Sequence, residues 1–251
     1  MRNRAAARKE ARDTKSYRDL ETRYRRSRLA NIVLAVLVAF LGIVVIAQMQ
    51  SGATTSNTGT ASGTGATNEP FARRDPNDPM AMGSIDAPIV LSEWADLRCP
   101  FCAAFSRETL PVLIEEYVKP GKVRLEFNDV TFFGTQSEDA AVAARAAGEQ
   151  GKYFDFLFAV FDAAPEGSHP DLPREKLIAF AVQAGVPDME RFTADLDRSD
   201  LRAAVQASTT RAHGAGINGV PFFLANGKVL SGAHPVDTFR TFLDEALAAA
   251  G

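Results

Sequence analysis

Hydrophobic positions along the chain form two different patterns, one continuous and one interrupted. From position 29 to position 47 the sequence reads LANIVLAVLVAFLGIVVIA, nineteen residues without a charge. Because about twenty residues of α-helix cross a hydrocarbon core of about 30 Å, this run predicts a transmembrane helix over residues 29–47. A cleaved signal peptide is the alternative, but its apolar region normally spans only about 7–15 residues behind a shorter leader.

The interrupted pattern begins after position 80 and is typical of an α/β domain. Short apolar runs that predict strands cover residues 89–94, 122–127, 221–225 and 228–230. Helical spacing covers residues 101–118, with Pro111 as the expected kink, then most of 137–213, and finally the C-terminal segment. Asn226-Gly227 between two apolar runs indicates a hairpin. The predicted order is β–α–β, a helical block, then β–β–α.

Between these two parts lies a segment that cannot form a core. Residues 51–69 contain no aromatic or large aliphatic side chain, and residues 70–79 are rich in proline. Such composition buries too little apolar surface to order a backbone. The sequence therefore predicts a flexible linker over residues 48–79 and a folded domain over residues 80–251.

Charge is distributed unevenly and predicts the orientation of the apolar helix. Of 28 basic and 31 acidic residues, eleven and four lie in residues 1–28, which leaves 17 basic and 27 acidic residues elsewhere. No Lys or Arg lies between position 29 and Arg73. The positive-inside rule thus predicts a basic cytoplasmic tail, a single-pass signal-anchor in the cell membrane and an extracytoplasmic domain. An acidic domain offers no electrostatic footprint for nucleic acid.

The two cysteines of the chain are the strongest chemical signal. Cys99-Pro100-Phe101-Cys102 follows a predicted strand and opens a predicted helix. The unpaired N–H groups and dipole of a helix N-terminus stabilise a thiolate, which is the species that attacks a disulfide. Two cysteines are too few for a structural framework, and the three histidines show no zinc-ligand spacing. We therefore predict a redox-active disulfide, with no metal and no other cofactor.

This motif and its surroundings resemble the DsbA-like thiol–disulfide oxidoreductases of the thioredoxin superfamily, in the branch common in Gram-positive bacteria. The resemblance covers about residues 80–251. It implies a thioredoxin fold with a helical insertion at about 137–213. It also implies a buried acid at Glu93 that exchanges protons with Cys102, and a cis peptide bond at Val220-Pro221 against which substrate peptide pairs. The alternatives are an exposed strand glutamate and an ordinary trans proline.

The resemblance also implies an activity and its partners. An enzyme of this kind oxidises cysteines of exported, unfolded polypeptides, and a membrane redox partner then restores its disulfide. Phe101 occupies a position that carries histidine in strongly oxidising members, so the Cys99 thiolate should be less stabilised. A reductase or isomerase that uses the same residues therefore stays open, as does a redox-inactive peptide-binding or chaperone module.

The surroundings of the motif also include charged and aromatic residues. Asp96 and Arg98 either bias its electrostatics or are exposed charges at a strand end. Trp94 is expected in the core, and His213 either faces the site or lies on the surface.

Overall fold

A computed structural model describes residues 69–251 of the chain. The predicted tail, the predicted transmembrane helix over residues 29–47 and most of the predicted linker lie outside the described residues. Within residues 69–251, every helix is too short or too polar to cross a bilayer.

A five-stranded mixed sheet forms the centre of the domain. Its spatial order is β1-β3-β2-β4-β5; β2 and β3 are parallel, and the other neighbouring pairs are antiparallel. The central strand β2 reads IVLSEWA and is buried along its whole length, as expected for a strand covered on both faces. The strands are β1 (Ala81–Met82), β2 (Ile89–Ala95), β3 (Val123–Asp129), β4 (Phe222–Ala225) and β5 (Lys228–Ser231).

Eight α-helices accompany the sheet in the described part of the chain, and five of them lie between β3 and β4, where the sequence predicted a helical block. The helices are α1 (Pro100–Glu108), α2 (Leu110–Leu113), α3 (Thr135–Gly148), α4 (Tyr153–Asp162), α5 (Arg174–Gln183), α6 (Met189–Asp195), α7 (Ser199–Gly214) and α8 (Val236–Ala248). The predicted helix over 101–118 is interrupted at Thr109, two residues before Pro111, and ends in a π-helical turn (Ile114–Val118).

Aromatic packing joins the first helix to the sheet. The ring of Phe105 on α1 lies 4.6 Å from that of Phe223 on β4 and 4.9 Å from that of Phe239 on α8. All three rings are buried, and such tilted pairs add stability beyond the apolar area they remove from water. This cluster fixes α1, and with it the cysteine motif at the start of α1, over the sheet.

The predicted linker extended to residue 79, and the structure corrects that boundary. Phe71 packs edge-on against Trp94, with ring centroids 5.3 Å apart. The backbone N–H groups of Arg73 and Arg74 donate to the buried Glu126 carboxylate at 2.6 and 2.9 Å. The composition argument considered only apolar burial, whereas a buried carboxylate needs donors, and this segment supplies them. The ordered domain therefore begins by residue 69.

Candidate active site

The cysteine motif lies where strand β2 gives way to helix α1. The backbone turns after β2, and the N–H of Cys99 donates to the Asp96 carbonyl at 2.9 Å. Cys99 is the N-cap residue of α1, and its Sγ accepts a hydrogen bond from the N–H of Cys102 at 3.3 Å. Pro100 occupies the first turn, where its missing N–H removes no helical bond. The sulfur of Cys99 therefore accepts a hydrogen bond from one of the backbone N–H groups that have no partner within the helix.

The pKa values of the two thiols are shifted in opposite directions. A hydrogen bond from the Cys102 thiol, with smaller contributions from the N–H groups of Cys102 and Phe101, lowers the pKa of Cys99 against the opposing effect of burial. Burial raises the pKa of Cys102 well above its usual value, and the nearby Cys99 raises it further. Both cysteines are free thiols here. Near neutral pH the thiolate therefore forms at Cys99 in preference to Cys102.

The loop before β4 closes over the first cysteine. The Val220–Pro221 peptide bond is cis, as the family resemblance implied. The carbonyl oxygen of Val220 lies 3.6 Å from the Sγ of Cys99, within range of a weak S–H donor. Cys99 is only 2% exposed, and the Val220 backbone lies against its sulfur.

Glu93 lies beneath the cysteines on the central strand. Its neighbours in the sheet are Phe127 on β3 and Phe223 on β4, and its side chain is buried. Burial, followed by the proximity of Cys99, raises its pKa from 4.5 to about 8. Its Oε2 atom has no hydrogen-bond partner in the structure. The predicted buried position is confirmed, and a carboxyl group with this pKa is protonated at neutral pH yet able to release a proton near pH 8.

Phe101, between the two cysteines, points away from this arrangement. Its side chain is 64% exposed, an unusual exposure for a large apolar residue in the described part of the chain. A benzyl side chain supplies neither a hydrogen bond nor a charge to the Cys99 sulfur.

Comparison with known proteins agrees with this geometry. A family model described as thioredoxin matches residues 75–245. A probable disulfide bond formation protein D of Bacillus cereus is 31% identical over 173 residues, which cover 66% of this chain and 78% of that protein. The chain is a DsbA-like thiol–disulfide oxidoreductase. Disulfide bond formation protein D of Bacillus subtilis is 23% identical over 168 residues, covering 66% of this chain and 76% of that protein.

Solved structures of DsbA-like proteins share the fold. Oxidised BdbD from Bacillus subtilis superposes with a TM-score of 0.63 at 22% identity, covering 68% of this chain and 94% of that one. The α-DsbA1 protein of Wolbachia pipientis gives a TM-score of 0.63 at 22% identity, covering 73% and 97%. At these identities the match concerns the fold.

The structure contradicts one of the two alternatives that the sequence left open for Asp96. It is fully buried rather than an exposed charge at a strand end. Its Oδ1 accepts the N–H of Arg98 at 2.8 Å, and its Oδ2 accepts the N–H groups of Phe132 and Phe133 at 2.7 and 3.3 Å. Burial raises its pKa, and these N–H groups oppose that effect. The sequence does contain a signal for this role. Asp96 lies between a strand and a turn, where the short side chain of aspartate readily accepts hydrogen bonds from nearby backbone N–H groups.

Arg98 and His169 connect the cysteine motif of this DsbA-like domain to its helical insertion. The guanidinium of Arg98 donates to the carbonyls of Pro170 and Phe133 at 2.9 and 2.6 Å. Nδ1 of His169 lies 2.7 Å from the Arg98 carbonyl oxygen, so that nitrogen carries the proton. No local pattern in the sequence indicates a role for His169, which lies 70 positions after Cys99. His213 is exposed and stacks on Phe132 at 5.0 Å.

Proposed function

We propose that Cys99 and Cys102 form the redox pair of this oxidoreductase and that it oxidises cysteines of exported polypeptides. The observation that carries this proposal is the difference between the two thiols. The Cys99 sulfur lies at a helix N-terminus with its pKa lowered, and the Cys102 sulfur is fully buried with its pKa raised. A pair with one stabilised thiolate and one shielded thiol suits exchange through a mixed disulfide.

The exchange has two steps. A substrate thiolate attacks the Sγ of Cys99 in the oxidised pair, which forms a mixed disulfide and breaks the Cys99–Cys102 bond. The leaving thiolate of Cys102 takes a proton from the Glu93 carboxyl. A second substrate thiolate then attacks the substrate sulfur of the mixed disulfide, which completes the substrate disulfide and releases Cys99 as its thiolate. Two electrons have moved from substrate to enzyme.

Substrate would bind along the loop that carries Val220 and Pro221. The Val220 carbonyl lies against Cys99, and an extended peptide could pair with backbone groups of this loop beside the reacting sulfur. The exposed Phe101 supplies apolar surface next to the same sulfur.

The cell membrane is the proposed location. Residues 29–47 would anchor the chain, with residues 1–28 in the cytoplasm and the oxidoreductase domain outside. A membrane redox partner would accept two electrons from the reduced pair and so restore the disulfide, and the proton of the Cys102 thiol would return to the Glu93 carboxylate.

A disulfide reductase or isomerase is the second candidate, and one observation favours it. Phe101 offers no hydrogen bond to the Cys99 thiolate, so the reduced form lacks a source of stabilisation that a polar residue would give. A less stabilised thiolate makes the disulfide a weaker oxidant.

The direction of electron flow is tested with the full chain in detergent and a reduced, unfolded model protein. We expect the oxidised enzyme to form disulfides in that protein in stoichiometric amounts and the Cys99→Ser variant to form none. The Cys102→Ser variant, mixed instead with the oxidised form of the model protein, should attack its disulfide and accumulate a mixed disulfide through Cys99. Efficient reduction of an oxidised model protein in glutathione buffer, without oxidation of the reduced one, would establish the reductase instead. Activity that survives Cys99→Ser would overturn both.

A further inference from the structure

A buried negative charge lies beside the redox pair, three positions before Cys99. Asp96 is fully buried, and its backbone carbonyl accepts the N–H of Cys99 at 2.9 Å. Its carboxylate oxygen Oδ1 accepts the N–H of Arg98, the residue before Cys99, at 2.8 Å. The nearest basic side chain in sequence does not neutralise it, because the guanidinium of Arg98 donates to the carbonyls of Pro170 and Phe133 instead.

The hydrogen bonds of Asp96 favour an ionised carboxylate. Both oxygens accept backbone N–H groups: Oδ1 from Arg98, and Oδ2 from Phe132 and Phe133. An ionised carboxylate is an acceptor at both oxygens, whereas an amide would turn a donor toward one of these N–H groups. The same bonds join the turn before Cys99 to the loop after β3. The charge is therefore fixed and cannot move away when the Cys99 thiolate forms.

We propose that Asp96 is a positioning residue that sets the redox balance of the Cys99–Cys102 pair, since its fixed negative charge opposes the Cys99 thiolate and favours the disulfide over the dithiol. This inference rests on the proposed function, in which Cys99 is the attacked sulfur. Burial raises the pKa of Cys99, and electrostatic repulsion from Asp96 raises it further by a smaller amount, so both work against the helix N-terminus. Together with Phe101, Asp96 makes the pair a weaker oxidant than its position at a helix N-terminus alone would produce.

Two substitutions separate charge from structure. Asp96→Asn removes the charge and keeps the size of the side chain, whereas Asp96→Glu keeps the charge but disturbs the three hydrogen bonds. Asp129→Asn is the matched control, because Asp129 is also a buried carboxylate at the end of a central strand and is paired with Arg145 at 2.6 Å. Loss of that pair should destabilise the fold without removing a charge from the turn before Cys99.

The experiment equilibrates each full-length variant in glutathione buffers and measures the fraction of disulfide. We expect Asp96→Asn to shift the equilibrium constant with glutathione about tenfold toward the dithiol. For this two-electron couple, that is an increase of about 30 mV in the reduction potential. Alkylation of Cys99 as a function of pH should show a lower pKa in that variant. The equilibrium constants of Asp96→Glu and Asp129→Asn should stay within about twofold of the wild-type value, even where the unfolding temperatures of these variants fall.

The outcomes distinguish three accounts. A shift of less than twofold in Asp96→Asn would overturn the proposal, and so would an equal shift in Asp96→Glu, because both variants would then report disturbed bonding rather than lost charge. If Cys99 of the wild type fails to react with the alkylating reagent while the protein stays folded, the proposed function itself fails.

Discussion

Replacement of Glu93 by glutamine should change how stability depends on pH. Glu93 is 1% exposed, and burial raises its pKa from 4.5 to about 8. Below pH 4.5 the carboxyl group is protonated in the folded and the unfolded chain, so its contribution is constant. Between pH 4.5 and about pH 8 the unfolded chain releases the proton and the folded chain retains it, so the free energy of unfolding falls as the pH rises.

The size of the effect follows from the pKa difference. Each unit corresponds to about 1.36 kcal/mol, so a change from 4.5 to about 8 amounts to about 5 kcal/mol across the whole range. Between pH 5 and pH 7 alone, the wild type should lose about 2.7 kcal/mol relative to Glu93→Gln, which has no proton to release there. The two curves are subtracted because the groups that titrate independently of Glu93 contribute equally to both.

Denaturant unfolding of the reduced full chain measures this difference. Trp94, the only tryptophan of the chain, adjoins Glu93 and is buried against Phe71 and Phe222, so its fluorescence should report unfolding of the sheet. The free energy of unfolding is measured for both proteins at several pH values from 5 to 8. The raised pKa of Glu93, and the proton transfer built on it, would be refuted if the difference in unfolding free energy between the two proteins changed by less than about 0.5 kcal/mol across this pH range.

Three further predictions concern the motif and its support. Phe101→His should stabilise the Cys99 thiolate, so the variant should be a stronger oxidant by about tenfold in glutathione equilibrium, and an unchanged constant would contradict this. Arg98→Ala should cost about 2–3 kcal/mol of unfolding free energy because it leaves two carbonyls without their charged donor; denaturant titration measures the loss. Phe223→Ala removes a ring packed against two others and should cost about 3–5 kcal/mol, a larger loss than Arg98→Ala in the same titration.

The fold was predictable where the hydrophobic pattern was strong. The central strand and the hairpin at Asn226-Gly227 agree with their apolar runs, since β2 is buried along its length and β4 and β5 flank the turn. The segment from residue 69 to residue 79 was not predictable in the same way. It is held by Arg73 and Arg74 on the buried Glu126, and a count of apolar residues does not detect such bonds.

The site was predictable as far as chain-local signals extend. The position of Cys99 at a helix N-terminus agrees with the strand-to-helix pattern around the motif. The burial of Glu93 and the cis bond before Pro221 agree with what the family resemblance implied. The contact of His169 with the Arg98 carbonyl depends on how the helical insertion folds back over the motif. A residue 70 positions away has no local pattern that reveals such a contact.

The most direct measurement is the reactivity of the reduced native chain toward an alkylating reagent as a function of pH, with the modified cysteine identified by mass spectrometry. Our account predicts that Cys99 is modified first, with an apparent pKa below that of an ordinary thiol, and that Cys102 stays unmodified until the chain unfolds. If Cys102 reacts first, or Cys99 titrates above the ordinary thiol value, the sulfur at the start of α1 is not held as a thiolate and the proposed mechanism is wrong.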